Sequence, residues 1–287
     1  MTRVTVNGAE LAVSERGTGE PVVLVHGSAS DARTWDRQVA AFSASFRTIT
    51  YSRRHHWPHA EVSDGVEYSM PPHVDDLQAL LHVLRAAPAH LVGHSYGAFV
   101  CLLLAMRDPA AVRSLVLCEP PVVTLFVSPT PKPLELLRLL RTRPRTAAAI
   151  VRFGVFGVVP ATKALRRGDA ESAIRRFGDA VFGAGGYDRL SLDRKAQVRD
   201  NHPNIRAELL GPGVPPLDPT RVRHVRARTL LVNGTRSVGL FRHLTDRLEE
   251  LLPGAGRVVI ADAGHMMHED QPEAFNAAVM GFLANDR

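Results

Sequence analysis

The sequence predicts a doubly wound α/β fold with a mostly parallel sheet and a mostly helical insertion. Three observations carry the prediction. Apolar strand-like runs alternate with helix-like stretches from Pro21 to Cys118. The alternation stops between about Val122 and Val222, where the chain is Arg-rich and broken by Pro and Gly. It resumes at Thr229 and runs to Leu283. The chain therefore reads as a core in two parts, residues 1–121 and 223–287, around a helical cap of residues 122–222.

Each element has a local reason. Arg3–Val6 and Glu10–Glu15 are β-like runs joined by Asn7-Gly8, a hairpin turn signal. Pro21–Val25 is continuously apolar and ends at His26-Gly27, as a strand buried on both faces requires. Phe46–Tyr51 repeats the strand signal. In Val74–Ala86, Leu77, Leu80, Leu81 and Leu84 recur at helical spacing. His90–Gly93 reads as a strand, Ala98–Met106 as a helix and Ser114–Cys118 as a strand. Inside the insertion, Leu134–Leu140 and Ala170–Phe182 read as helices and Pro212–Pro219 as a linker. Thr229–Val232, Phe241–Leu252, Val258–Ile260 and Pro272–Leu283 then alternate strand with helix.

Composition narrows the classes. The 287 residues are 45% apolar and 22% charged, which is globular rather than disordered. No apolar run approaches the roughly 20 residues of a membrane-spanning helix. Met1–Glu10 lacks the apolar segment of a secretory signal. Cys101 and Cys118 lie in apolar stretches and make no disulfide framework, so a cytoplasmic setting is expected. The net charge is +6, yet residues 122–222 hold 14 Arg and 3 Lys against 9 Asp or Glu. Arg supplies nearly all the positive charge along the whole chain, so this reads as a solvated helical face. No nucleic-acid motif accompanies it.

The chemistry centres on Gly93-His94-Ser95-Tyr96-Gly97, between a strand and a helix. A tight strand-to-helix turn crowds its central residue, and flanking glycines remove the Cβ clashes. The serine hydroxyl then stands at the strand's C-terminal edge, where the helix N-terminus aims N–H groups. Ser95 is the candidate nucleophile. An oxyanion hole needs a second donor, and the resemblance described below implies one from the loop after an earlier strand, where His26-Gly27-Ser28 stands. The backbone N–H groups of Ser28 and Tyr96 are the candidate pair, with His26 a structural residue of the loop. A base is expected late in the chain, after a strand, and His265 of Ala263-Gly264-His265 fits. His268 competes and is placed near the start of the last helix. His55, His56 and His59 lack further ligands of metal-site spacing and read as loop residues near the mouth of the site.

Together, His26-Gly27, Gly93–Gly97 and Gly264-His265 resemble the α/β-hydrolase superfamily, in the same order around a cap. The resemblance implies an eight-stranded, mostly parallel sheet and a Ser–acid–His triad. The family usually carries its acid three residues beyond a glycine after the strand read here as Thr229–Val232. This chain has Gly234-Thr235-Arg236-Ser237, a serine in that place. Glu119, ending Ser114–Cys118, offers a relocated acid, and the zearalenone-lactonase-like branch is similar in placing a glutamate there. Asp262 is the second choice. Asp246 and Glu250 read as solvated helix residues. Phe126, Phe153, Phe156 and Phe182 are candidates to line an apolar pocket or to form the cap's own core.

What the resemblance implies is a serine hydrolase that cleaves an ester or lactone of a hydrophobic small molecule. No metal or organic cofactor is implied. A serine at the elbow argues against the carboxylate-nucleophile branches, the epoxide hydrolases and haloalkane dehalogenases. Two other readings stay open: a cofactor-free dioxygenase or lyase using His265 as base, and a non-catalytic ligand-binding protein.

Overall fold

The computed structural model describes residues 1–59, 62 and 68–284. Eight strands form one sheet. They are β1 (Thr2–Val6), β2 (Ala9–Arg16), β3 (Pro21–Val25), β4 (Arg47–Tyr51), β5 (Ala89–His94), β6 (Val112–Cys118), β7 (Arg228–Gly234) and β8 (Gly256–Ile260). Their order is β1-β2-β4-β3-β5-β6-β7-β8. β1 pairs antiparallel with β2, and β2 with β4; every other pairing is parallel. Asn7 and Gly8 both take positive φ between β1 and β2, as the predicted hairpin turn demands.

The continuous apolar runs are explained by two cores. Val23 and Val25 face one, while Val22 and Leu24 face the other. Leu115 and Leu117 alternate with Val116 and Cys118 in the same way. On the outer face lie α1 (Asp36–Phe42) and the C-terminal helix, which bring Phe42, Phe275 and Val279 against Trp35. The opposite face carries α2 (Pro71–Val83) and α3 (Tyr96–Arg107), through Leu77, Phe99 and Leu104.

The insertion between β6 and β7 is helical. It runs through α4 (Pro133–Thr142), α5 (Pro144–Phe153), a π-turn at Gly154–Val158, α6 (Val159–Arg166), α7 (Ala170–Phe182), α8 (Leu192–Asp200), α9 (His202–Leu210) and α10 (Pro219–Arg223). The Asp169 carboxylate caps α7 by accepting from the Ser172 N–H at 3.1 Å, and Gly183 ends it at φ +87°. After β7 come α11 (Gly239–Leu251), β8, α12 (Met267–Asp270) and α13 (Pro272–Ala284). The sequence-based expectation missed α5, α6, α8 and α9. Pro144 and Pro203 open α5 and α9 rather than breaking them, since a proline in the first turn sacrifices no hydrogen bond, and Pro160 follows directly on the π-turn.

One finding departs from the expectation of no spanning segment. Pro144–Arg166, continuous through the π-turn, is long and apolar enough to cross a membrane by length and composition. It carries Arg145, Arg152, Lys163 and Arg166, and it packs through Ala161, Ala164 and Leu165 on Ala173 of α7.

Candidate active site

Ser95 stands between β5 and α3 at φ +50° and ψ −120°, a conformation a side chain rarely adopts. Its own N–H donates to the Cys118 carbonyl at 2.8 Å, which ties the turn to the end of β6. The neighbouring glycines permit the turn. A Cβ at Gly93 would stand 2.5 Å from the Ala98 Cα, and one at Gly97 would stand 2.3 Å from the Val25 carbonyl oxygen. Gly97 thus lets the start of α3 rest against the loop that follows β3.

That loop, His26–Ser30, is held from below by Arg53, a residue with no local signal in its surrounding sequence. Its N–H donates to His26 Nε2 at 2.9 Å, and its guanidinium donates to the His26 and Gly27 carbonyls at 3.2 and 3.0 Å. His26 is therefore a buried structural residue, as expected. From above, the cap grips the same loop. The Ser28 hydroxyl donates to Glu208 of α9 at 2.5 Å. Arg194 of α8 donates to the Ala29 carbonyl and the Ser30 hydroxyl, both at 3.1 Å. Burial pushes the Glu208 carboxyl upward, opposed by Arg53 and the Ser28 hydroxyl. Neither the Ser28 nor the Tyr96 amide is taken up by the turn, loop and cap hydrogen bonds among the described residues.

His265 follows β8 in a buried loop. Its Nδ1 lies 2.6 Å from Glu119 Oε2. Glu119 is fully buried at φ +48°, just past β6. Its other oxygen accepts from the Gly234 N–H at 3.1 Å and the Asn233 side chain at 3.3 Å, both at the end of β7. Asn233 is held in turn by Thr245 of α11 at 3.0 Å. The Phe241 ring stacks on His265 with centroids 4.0 Å apart. His94 reaches the His265 carbonyl through Nε2 at 2.9 Å. Burial holds the His94 and His268 rings well below the usual imidazole range.

Ser95, Ser28 and His265 line one cavity of about 50 Å³. Its roof is apolar: Ile174, Phe177, Val181 and Phe182 of α7, and Ile205 of α9. Arg194 closes one side. The cavity is small beside ligand pockets, which are commonly several hundred Å³.

Other expected residues lie elsewhere. Asp262 is exposed, and its N–H donates to Thr235; His265 pairs with Glu119 instead. His268 sits in α12, where its ring packs on Trp35 at 4.4 Å. His56 lies in a loop as expected but not at the mouth, because it is buried beneath the loop after β3, on the Ser30 carbonyl at 2.7 Å. Asp246 pairs with Arg257, and Glu250 with Arg143 and Arg247. Of the four phenylalanines, Phe182 lines the cavity. Phe126 and Phe153 pack on the core, and Phe156 is 73% exposed, so it serves neither expected role.

This fold, with a strained serine at the end of β5, is that of the α/β hydrolases. The chain belongs to the Alpha/beta hydrolase family, whose model matches residues 22–278. Among its relatives is the Mycobacterium tuberculosis protein named "Putative non-heme bromoperoxidase BpoC", 29% identical over 96% of this chain and 98% of its own length. The solved structure of that protein superposes with a TM-score of 0.65 over 100% of this chain and 99% of that one, at 25% identity. The cis-3-alkyl-4-alkyloxetan-2-one decarboxylase of Shewanella oneidensis is 26% identical over 96% of this chain and 86% of its own. The 2-(acetamidomethylene)succinate hydrolase of Mesorhizobium japonicum is 25% identical over 98% and 94%.

Proposed function

We propose that this chain is a serine hydrolase that cleaves a carboxylic ester or lactone of a hydrophobic small molecule through an acyl-enzyme. One observation carries the reading: Ser95 and His265 share a cavity while Glu119 holds the far nitrogen of His265. Ser95 Oγ attacks the carbonyl carbon as His265 Nε2 takes its proton. His265 Nδ1–H donates to Glu119, whose buried charge stabilises the imidazolium. The Ser28 and Tyr96 N–H groups receive the oxyanion. The leaving alcohol takes the proton from His265. Water, deprotonated by His265, then attacks the acyl group and frees Ser95. The apolar roof supports a hydrophobic acyl or alcohol group. A cytoplasmic setting is part of the proposal, supported by the unpaired, buried Cys101 and Cys118.

A panel of p-nitrophenyl esters and aliphatic lactones tests the reading, with the acid product identified by mass spectrometry. Turnover lost in Ser95→Ala supports it; no turnover on any member by folded protein contradicts it. A second reading, a cofactor-free lyase or oxygenase with His265 as base, is favoured by the relatives named for decarboxylase and bromoperoxidase activity. Product formation that survives Ser95→Ala, with carbon dioxide released or oxygen consumed, would select it.

A further inference from the structure

The cap carries an outer surface that the catalytic reading does not use. Twelve large apolar side chains are well exposed among the described residues, and seven of them fall between Leu134 and Val159. Leu134, Leu137 and Leu140 share one face of α4. Val151, Val155, Phe156 and Val159 follow a three-to-four-residue period along the helix Pro144–Arg166. Leu134 and Phe156 are 78% and 73% exposed. Scattered exposed apolar residues are ordinary, but a cluster of this kind marks an interaction surface.

Its charge says what covers it. Residues 133–167 hold seven Arg and one Lys against a single acid, Glu135. Arg138, Arg141, Arg145, Arg152, Arg166 and Arg167 are exposed on these same helices. Among the described residues, Arg143 alone of the set forms a salt bridge, with Glu250, and Arg167 lies near Asp169. A second copy of this chain would bring the same cations face to face, which disfavours self-association. Nucleic acid would leave the leucines and valines unmatched, since base stacking calls for aromatic platforms. Exposed helix surfaces that interleave apolar and cationic side chains fit a bilayer interface with anionic headgroups. The four cations within Pro144–Arg166 argue for lying in that interface rather than crossing the bilayer.

We propose that α4 and the helix Pro144–Arg166 dock the protein on the surface of an anionic phospholipid bilayer. Phe156 and its apolar neighbours enter the acyl boundary, and the arginines meet the headgroup phosphates. The surface connects to the active site through α7. α6 packs on α7 through Ala161 and Ala164, and Phe177 of α7 touches both that contact and the catalytic cavity. Docking on lipid therefore bears on the helix that roofs Ser95, and it brings the cavity to the phase that holds hydrophobic esters.

The test is cosedimentation of the whole protein with vesicles of phosphatidylcholine alone and with 30% phosphatidylglycerol, where that fraction is a design choice of roughly physiological anionic content. Binding to the anionic vesicles, weak binding to the neutral ones and release by high salt are expected. Arg145→Gln and Arg152→Gln should each weaken binding about fivefold. Phe156→Ser, at an exposed position that leaves folding intact, should weaken it further at unchanged net charge. Equal binding to both vesicle types, no binding by folded protein, or no loss in Phe156→Ser overturns the proposal. So does concentration-dependent dimerisation in analytical ultracentrifugation that Phe156→Ser abolishes, or duplex DNA binding that matches vesicle binding. The assay reads no catalysis, so its outcome is separate from that of the hydrolase reading.

Discussion

The carboxylate of Glu119, one residue past β6, reaches beneath the end of β7 to within 2.6 Å of His265 Nδ1 in the loop after β8. The intervening strand does not stand in its way; Gly234 and Asn233 of β7 donate to its second oxygen. A Cβ at Gly234 would lie 2.3 Å from the Ala263 carbonyl oxygen, so the β7 and β8 loops meet there closely. Glu119→Gln should lower kcat by about 10³–10⁴-fold, the usual cost of losing the orienting charge behind a catalytic histidine. Glu119→Asp is one methylene shorter and should lose about 100-fold. Steady-state kinetics on a p-nitrophenyl ester reads both. Adding Ser237→Asp to Glu119→Gln should recover part of the loss, because it restores an acid where the family usually carries one.

The loop after β3, which carries the proposed oxyanion donor Ser28, is gripped from the cap by Glu208 on Ser28 and by Arg194 on Ala29 and Ser30. Glu208→Leu should lower kcat about tenfold with little change in KM, a fraction of what losing a whole oxyanion donor costs. Glu208→Gln keeps an acceptor for the Ser28 hydroxyl and should recover most of it. A KM effect without a kcat effect would assign Glu208 to substrate binding instead.

Acid should unfold this protein early. His26, His56, His73, His94 and His268 are held well below the usual imidazole range, chiefly by burial. They stay neutral in the fold, and each takes up a proton on unfolding once the pH falls below about 6.5. The unfolded chain then binds more protons than the fold, so stability drops as pH falls. Above pH 7 both states are neutral at these sites and the contribution is flat. Each site adds at most about 1.4 kcal/mol per pH unit below 6.5. Urea midpoints should be level from pH 7 to 8 and fall steeply from 6.5 to 5. His73, whose ring nitrogens have no hydrogen-bond partner among the described residues, offers a check: His73→Phe should flatten that slope.

Gly97→Ala would drive a Cβ to 2.3 and 2.4 Å from the Val25 and His26 carbonyl oxygens, backbone atoms that cannot swing aside. It should cost about 3 kcal/mol by overpacking, read as a lower urea midpoint at unchanged slope.

Much of the sheet and of the candidate site was legible because its signals are local. The run Pro21–Val25, the pattern Gly93–Gly97 and the Gly264-His265 pair each lie within a few residues. The pairing of Glu119 with His265 was foreseen through the family resemblance, because Ser237 stands where the family usually carries its acid and Glu119 ends a neighbouring strand. Arg53, Glu208 and Arg194 were not legible. Glu208 meets Ser28 across 180 positions, and no local pattern announces such a contact. The cap helices were half hidden as well, because Pro144, Pro160 and Pro203 read as breakers, although Pro144 and Pro203 sit in first turns and Pro160 follows a π-turn inside a continuous helix. The exposure of Phe156 also had no sequence signal, since an apolar residue at helical spacing ordinarily faces a core.

The central claim is that Ser95 is an activated nucleophile, and labelling with a fluorophosphonate probe tests it most directly. Peptide mass spectrometry on wild type, Ser95→Ala and Glu119→Gln locates the adduct. A phosphonate on Ser95 in wild type, none in Ser95→Ala and strongly slowed labelling in Glu119→Gln are expected. Folded wild-type protein that takes no label, or labels as fast in Glu119→Gln, would contradict the claim.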